Sequence, residues 1–103
     1  MRVRVCSVDE LQPGMKTRVQ LNGTPVAVFN IGGDFYAISD TCTHEEASLS
    51  EGEVDDDEVE CPKHGALFHI PTGEVRALPA TKPVRTFPTV IEADEVFVEA
   101  SDG

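Results

Sequence analysis

Four of the six cysteine and histidine residues in the chain stand in two short pairs, Cys42-Thr43-His44 and Cys61-Pro62-Lys63-His64, with sixteen residues between them. Thiolate and imidazole are soft or borderline donors, so four of them at this spacing point to a metal centre built from two loops. Two chemistries fit the set. Structural zinc takes all four donors at one ion, but its common motifs group the cysteines in one pair and the histidines in the other. Here each pair supplies one of each. That mixture suits a two-iron site with bridging sulfides, in which the cysteines hold one iron and the histidines the other. Gly65 follows the second pair and has no side chain to keep backbone N–H groups away from such a group.

Loops that carry ligands need a frame, and the flanking sequence reads as strands. Helical periodicity is weak, whereas short runs rich in Val, Ile, Phe and Thr, bounded by Gly, Pro, Asn and Asp, predict an all-β domain. In KTRVQLNGTPVAVFNIGGDFYAIS, residues 16–39, Asn22-Gly23 and the stretch Gly32 to Asp34 predict two hairpin turns and hence three antiparallel strands. VRTFPTVIEADEVFVEA, residues 84–100, predicts a further hairpin turning at Glu92 to Asp94. The middle differs: residues 41–80 hold two of the three cysteines and all three histidines. They run into PTGEVRALPATKP, which is too rich in proline for a central strand. The chain is therefore expected to be one domain, 1–103, with a metal-binding subdomain at about 41–80 inserted in a β-sandwich-like base of 1–40 and 81–103. One short helix is expected at SVDELQPG, with Ser7 as cap and Glu10 completing the box. The acidic EVDDDEVE, residues 53–60, is expected to be a solvated hairpin tip.

A net charge of -11 opposes binding to nucleic acid or to an anionic membrane and favours a basic protein partner. Three cysteines, an odd number, do not suggest a secreted disulfide framework, and a reducing compartment fits better. MRVRVCSVDE lacks an apolar leader core, and no run approaches the ~20 apolar residues of a membrane span, so a cytoplasmic protein is expected. No nucleophile with a base and no phosphate loop is apparent, so catalysis by this chain alone is not expected.

CTHEEASLSEGEVDDDEVECPKHG, residues 42–65, resembles the two cluster loops of Rieske [2Fe-2S] proteins, and RALPA, residues 76–80, resembles the proline loop that covers the cluster in them. The resemblance extends over essentially the whole chain and implies the Rieske iron-sulfur fold of antiparallel sheets with an inserted cluster subdomain. It also implies one [2Fe-2S] cluster per chain, with Cys42 and Cys61 on the inner iron and His44 and His64 on the outer iron, near the surface. Two ferric ions and two sulfides carry a charge that two thiolates neutralise and four would overshoot, so imidazole ligation makes reduction easier. Respiratory and photosynthetic members carry an extra cysteine in each loop, joined as a disulfide, and a Ser and a Tyr that donate to sulfur. Ala47, Lys63, Ala66 and Phe68 stand at those places here. With fewer donors the reduced state is less stabilised, which predicts a potential toward the bottom of the range general to Rieske centres, about -150 to +300 mV.

Within the family the chain looks like the Rieske-type ferredoxins of bacterial aromatic-ring hydroxylating dioxygenase systems. The resemblance implies an electron carrier, not an enzyme, running between a flavin-containing NAD(P)H-dependent ferredoxin reductase and a terminal oxygenase, with His44 and His64 at the docking tip. Glu45 and Glu46 follow His44 and are placed to steer a basic partner. Two other readings stay open: the small Rieske subunit of an NADH-dependent nitrite reductase, and a zinc-stabilised interaction module. His69 repeats no ligand spacing and reads as structural. Cys6 reads as a small buried hydrophobe. Phe35, Tyr36, Phe68, Phe87 and Phe97 read as core or cluster shielding.

Overall fold

A computed structural model describes residues 1–42, 47–63, 65–78 and 82–100. Eleven strands occur among the described residues: β1 Arg2–Ser7, β2 Lys16–Leu21, β3 Thr24–Ile31, β4 Asp34–Ser39, β5 Val54–Asp55, β6 Glu58–Glu60, β7 Leu67–His69, β8 Val75–Ala77, β9 Thr86–Phe87, β10 Thr89–Glu92 and β11 Glu95–Glu99. They form three antiparallel sheets, ordered β1-β11-β10, β2-β3-β4-β9 and β5-β6-β7-β8. The expected all-β class is borne out.

The predicted turns close the predicted hairpins. Asn22 (φ 53°) and Gly23 (φ 83°) are both left-handed, as the mirror-image turn that matches strand twist requires, and they join β2 to β3. Gly32-Gly33 joins β3 to β4. The C-terminal hairpin turns on Ala93 and Asp94, both at positive φ, between β10 and β11. What reads in sequence as one long run before that turn is two strands. Pro88 interrupts it, so Thr86–Phe87 pairs with β4 in the second sheet while Thr89–Glu92 pairs with β11 in the first.

The second sheet lies between the other two. Along β3 successive side chains point to opposite faces. Val26 and Val28 join Leu11, Leu21, Phe87 and Val98 on the side of the first sheet, whereas Ala27 and Phe29 join Ile38, Leu49, Val59, Phe68 and Ile70 on the side of the third. A strand with no solvent face explains the unbroken apolar run of PVAVF. Each fully buried Phe or Leu contributes on the order of 1.5–3 kcal/mol. The third sheet is thereby held to the frame by apolar contact.

The helix expected at SVDELQPG does not form. Half of its capping box does: the Ser7 N–H donates to Glu10 Oε1 at 2.7 Å. The segment is nonetheless a turn, because its backbone is claimed by the buried side chain and main chain of Asn30. Asn30 Nδ2 donates to the Leu11 carbonyl at 2.7 Å, and the Gly14 N–H donates to the Asn30 carbonyl at 2.9 Å. Leu11 is drawn into the core, and Pro13 leaves no room to extend a helical turn. Among the described residues no helix is long and apolar enough to cross a membrane.

Candidate metal centre

Both loops expected to bear ligands are closed in the same way. The Cys42 N–H donates to the Ala47 carbonyl at 3.0 Å, and the Cys61 N–H donates to the Ala66 carbonyl at 2.7 Å. Each cysteine thus pairs with the residue five positions on, which makes two loops of equal size, one after β4 and one between β6 and β7. In the second loop the Gly65 N–H also donates to the Cys61 carbonyl at 3.1 Å. Gly65 adopts φ 75°, a left-handed conformation that strains any residue with a side chain.

The two cysteines are 4% and 1% exposed and belong to one apolar cluster with Ala47, Leu49, Val59, Ala66 and Phe68. Two bare thiolates in such surroundings would be costly. A two-iron, two-sulfide core whose charge the thiolates cancel fits them. His44, His64, Glu45 and Glu46 lie outside the described residues, as do Pro79 and Ala80 of RALPA. Among the described residues alone no three His, Cys, Asp or Glu side chains are grouped to hold a metal.

The first loop is set by a residue that spacing did not single out. Asp40, 1% exposed, accepts from the Ser50 N–H through Oδ1 at 2.8 Å and pairs through Oδ2 with Arg18 Nε at 3.4 Å. Its carbonyl accepts from the Leu49 N–H at 2.6 Å, and its N–H donates to the Pro25 carbonyl at 3.0 Å. No local signal marks it, because its partners Arg18 and Ser50 come from separate elements. The segment then turns through Leu49–Glu51 to Gly52, whose carbonyl accepts from Lys16 Nζ. A Cβ at Gly52 would come within 1.9 Å of the Glu60 carbonyl oxygen, so only glycine lets the first loop's exit lie this close to β6.

Ala66 and Phe68 are fully buried in the cysteines' own cluster and bring no hydroxyl to it. His69 is structural, as expected: Nδ1 meets Thr72 Oγ1 at 2.7 Å and Nε2 meets Asp57 Oδ2 at 2.9 Å. Asp57 is therefore more than a solvated tip residue, since it ties the β5–β6 turn to the strand carrying His69. Cys6, expected to be buried, is only partly so: it packs at the edge of the core between the first and second sheets, where the register shifts between Arg4 and Cys6 and turns it inward beside Val5. Burial pushes its thiol pKa up.

The sequence model of the Rieske [2Fe-2S] domain matches residues 1–88. The chain is 44% identical over 100 residues to the ferredoxin component of biphenyl 2,3-dioxygenase from Rhodococcus jostii (strain RHA1), covering 97% of this chain and 94% of that protein. Its structure is similar to the ferredoxin of carbazole 1,9a-dioxygenase from Nocardioides aromaticivorans IC177, with a TM-score of 0.93, 38% identity, and 98% and 99% of the two chains covered. It is also similar to a chain of the complex of reduced oxygenase and oxidised ferredoxin in carbazole 1,9a-dioxygenase, with a TM-score of 0.91, 44% identity, and 94% and 91% covered. Twin loops of equal closure, two buried cysteines in one apolar cluster and these likenesses together place the chain in the Rieske [2Fe-2S] domain family.

Proposed function

We propose that this chain is the one-electron carrier of a ring-hydroxylating dioxygenase system, taking electrons from an NAD(P)H-dependent flavin reductase and delivering them to a terminal oxygenase. The observation that carries this is the 44% identity, along nearly the full length of both chains, to a dioxygenase ferredoxin component. Cys42 and Cys61 would hold the inner iron and His44 and His64 the outer one. When bound, a cluster so ligated supplies a site for one electron with no open coordination position for substrate. The chain's part is to fix the two thiolates in a dry pocket through the Cys42–Ala47 and Cys61–Ala66 bonds and to keep hydroxyl donors away from it with Ala66 and Phe68. The absence of those donors supports a low potential. The whole chain, 1–103, would act as one domain in the cytoplasm, with Glu45 and Glu46 steering a basic partner toward the histidine tip.

The test is reconstitution. With NADH, a ring-hydroxylating dioxygenase's reductase and its terminal oxygenase, substrate dihydroxylation should depend on added carrier. Electron delivery only to a nitrite reductase large subunit would replace this reading with the nitrite reductase one. Purification with zinc and no iron would replace it with an interaction module.

A further inference from the structure

Two cations of β2 reach across to the first ligand loop. Lys16 and Arg18 are two residues apart and so share one face of the strand, while Val19 and Leu21 turn toward the first sheet. Lys16 holds the Gly52 carbonyl at the end of the loop's return, and Arg18 pairs with Asp40 at its start. The two groups of the ion pair are not placed alike. The Arg18 side chain is 49% exposed, beside a shallow cavity that Pro25, Thr41, Ala47 and Ser48 also line, whereas the Asp40 side chain is 2% exposed. Asp40 is also two residues from Cys42, which puts their Cα atoms no more than about 7 Å apart.

We propose that the Arg18–Asp40 pair is a positioning and tuning device for the electron-carrying site, in which Asp40 lowers the reduction potential and Arg18 partly offsets it. This rests on Cys42 being a cluster ligand. A buried carboxylate acts through a low dielectric and opposes the arrival of an electron nearby. The half-exposed guanidinium is screened by water and salt, so it does not cancel the carboxylate. It is the pair's fixed charges, not a titration, that act. No sequence motif marks these residues; the burial difference within the pair does.

The experiment is an EPR-monitored redox titration of the cluster-loaded protein at one fixed pH, for Asp40→Asn, Arg18→Gln and Arg18→Lys. Asp40→Asn should raise the midpoint and Arg18→Gln should lower it, each by about threefold to tenfold in the one-electron equilibrium, tenfold being ~59 mV. Arg18→Lys keeps the charge and should stay near the parent. Added salt should shrink the Arg18→Gln shift and leave that of Asp40→Asn. A purely structural pair would move both variants the same way or leave the potential alone, and either result with an intact spectrum overturns the proposal. Should Asp40→Asn fail to fold, the Arg18→Gln and Arg18→Lys comparison decides. A parent protein without a rhombic reduced signal would instead overturn the cluster reading on which the proposal stands.

Discussion

Replacing Ala66 by Ser and Phe68 by Tyr tests whether the carrier's potential is set by hydroxyl donors it lacks. Both positions are fully buried in the apolar cluster that holds Cys42 and Cys61, so a new hydroxyl has sulfur as its natural acceptor. A hydrogen bond to a charged group is worth about 1.5–3 kcal/mol, but only the part that grows on reduction shifts the midpoint. Taking that part as about 1 kcal/mol per donor, and ~59 mV per tenfold or 1.4 kcal/mol, each hydroxyl raises the potential by ~40 mV and the pair by ~80 mV. The hydroxyls also carry a stability signature. Without a cluster the acceptors that remain are neutral thiol sulfurs, which accept weakly, so each buried hydroxyl costs up to about 1–3 kcal/mol and the iron-free double variant should melt earlier than iron-free parent. With the cluster bound the gap should close. Protein-film voltammetry and thermal unfolding of both forms read the two effects. An unchanged or lower midpoint in the double variant, with its EPR spectrum intact, would show that missing hydroxyls do not set the potential.

Exchanging Glu45 and Glu46 together for Gln should slow electron transfer to a partner at low salt and leave high-salt rates equal to the parent's, as stopped-flow mixing would show; equal rates at low salt remove the steering role. Gly52→Ala would force its Cβ against the Glu60 carbonyl oxygen and should cost about 1–3 kcal/mol in denaturant unfolding, together with poorer retention of iron. Cys6, whose thiol pKa is raised first by burial and next by Glu10, should alkylate more slowly in the folded than in the unfolded chain near neutral pH. Because that pKa is raised, its contribution to stability is present below the ordinary value of 9.0 and lost as pH rises through the folded value, so Cys6→Ala should be less sensitive to alkali.

Much of the frame could be read from turn chemistry, because Asn22-Gly23, Gly32-Gly33 and the 92–94 turn act locally and leave the chain few other ways to reverse. The cysteines were equally legible, since ligand chemistry demands particular residue types at short spacing. What escaped depends on distant partners. The capping signal at Ser7 and Glu10 was real, yet Asn30, in another strand, took the backbone a helix needs. Pro88 showed where a strand must break but not that its halves join different sheets. The inward turn of Cys6 needed a bulge that alternation does not announce. Asp40 looked like an ordinary loop aspartate because its partners Arg18 and Ser50 come from separate elements.

Cys42, His44, Cys61 and His64 are proposed to hold together a [2Fe-2S] cluster with imidazoles on one iron. EPR with nitrogen hyperfine detection on the reduced, iron-loaded protein tests it most directly. The reduced protein should give a rhombic signal carrying couplings to two imidazole nitrogens. One coupling should vanish in each of His44→Cys and His64→Cys, with two irons and two sulfides per parent chain. A signal without nitrogen coupling, or a colourless and silent protein containing zinc, would contradict it.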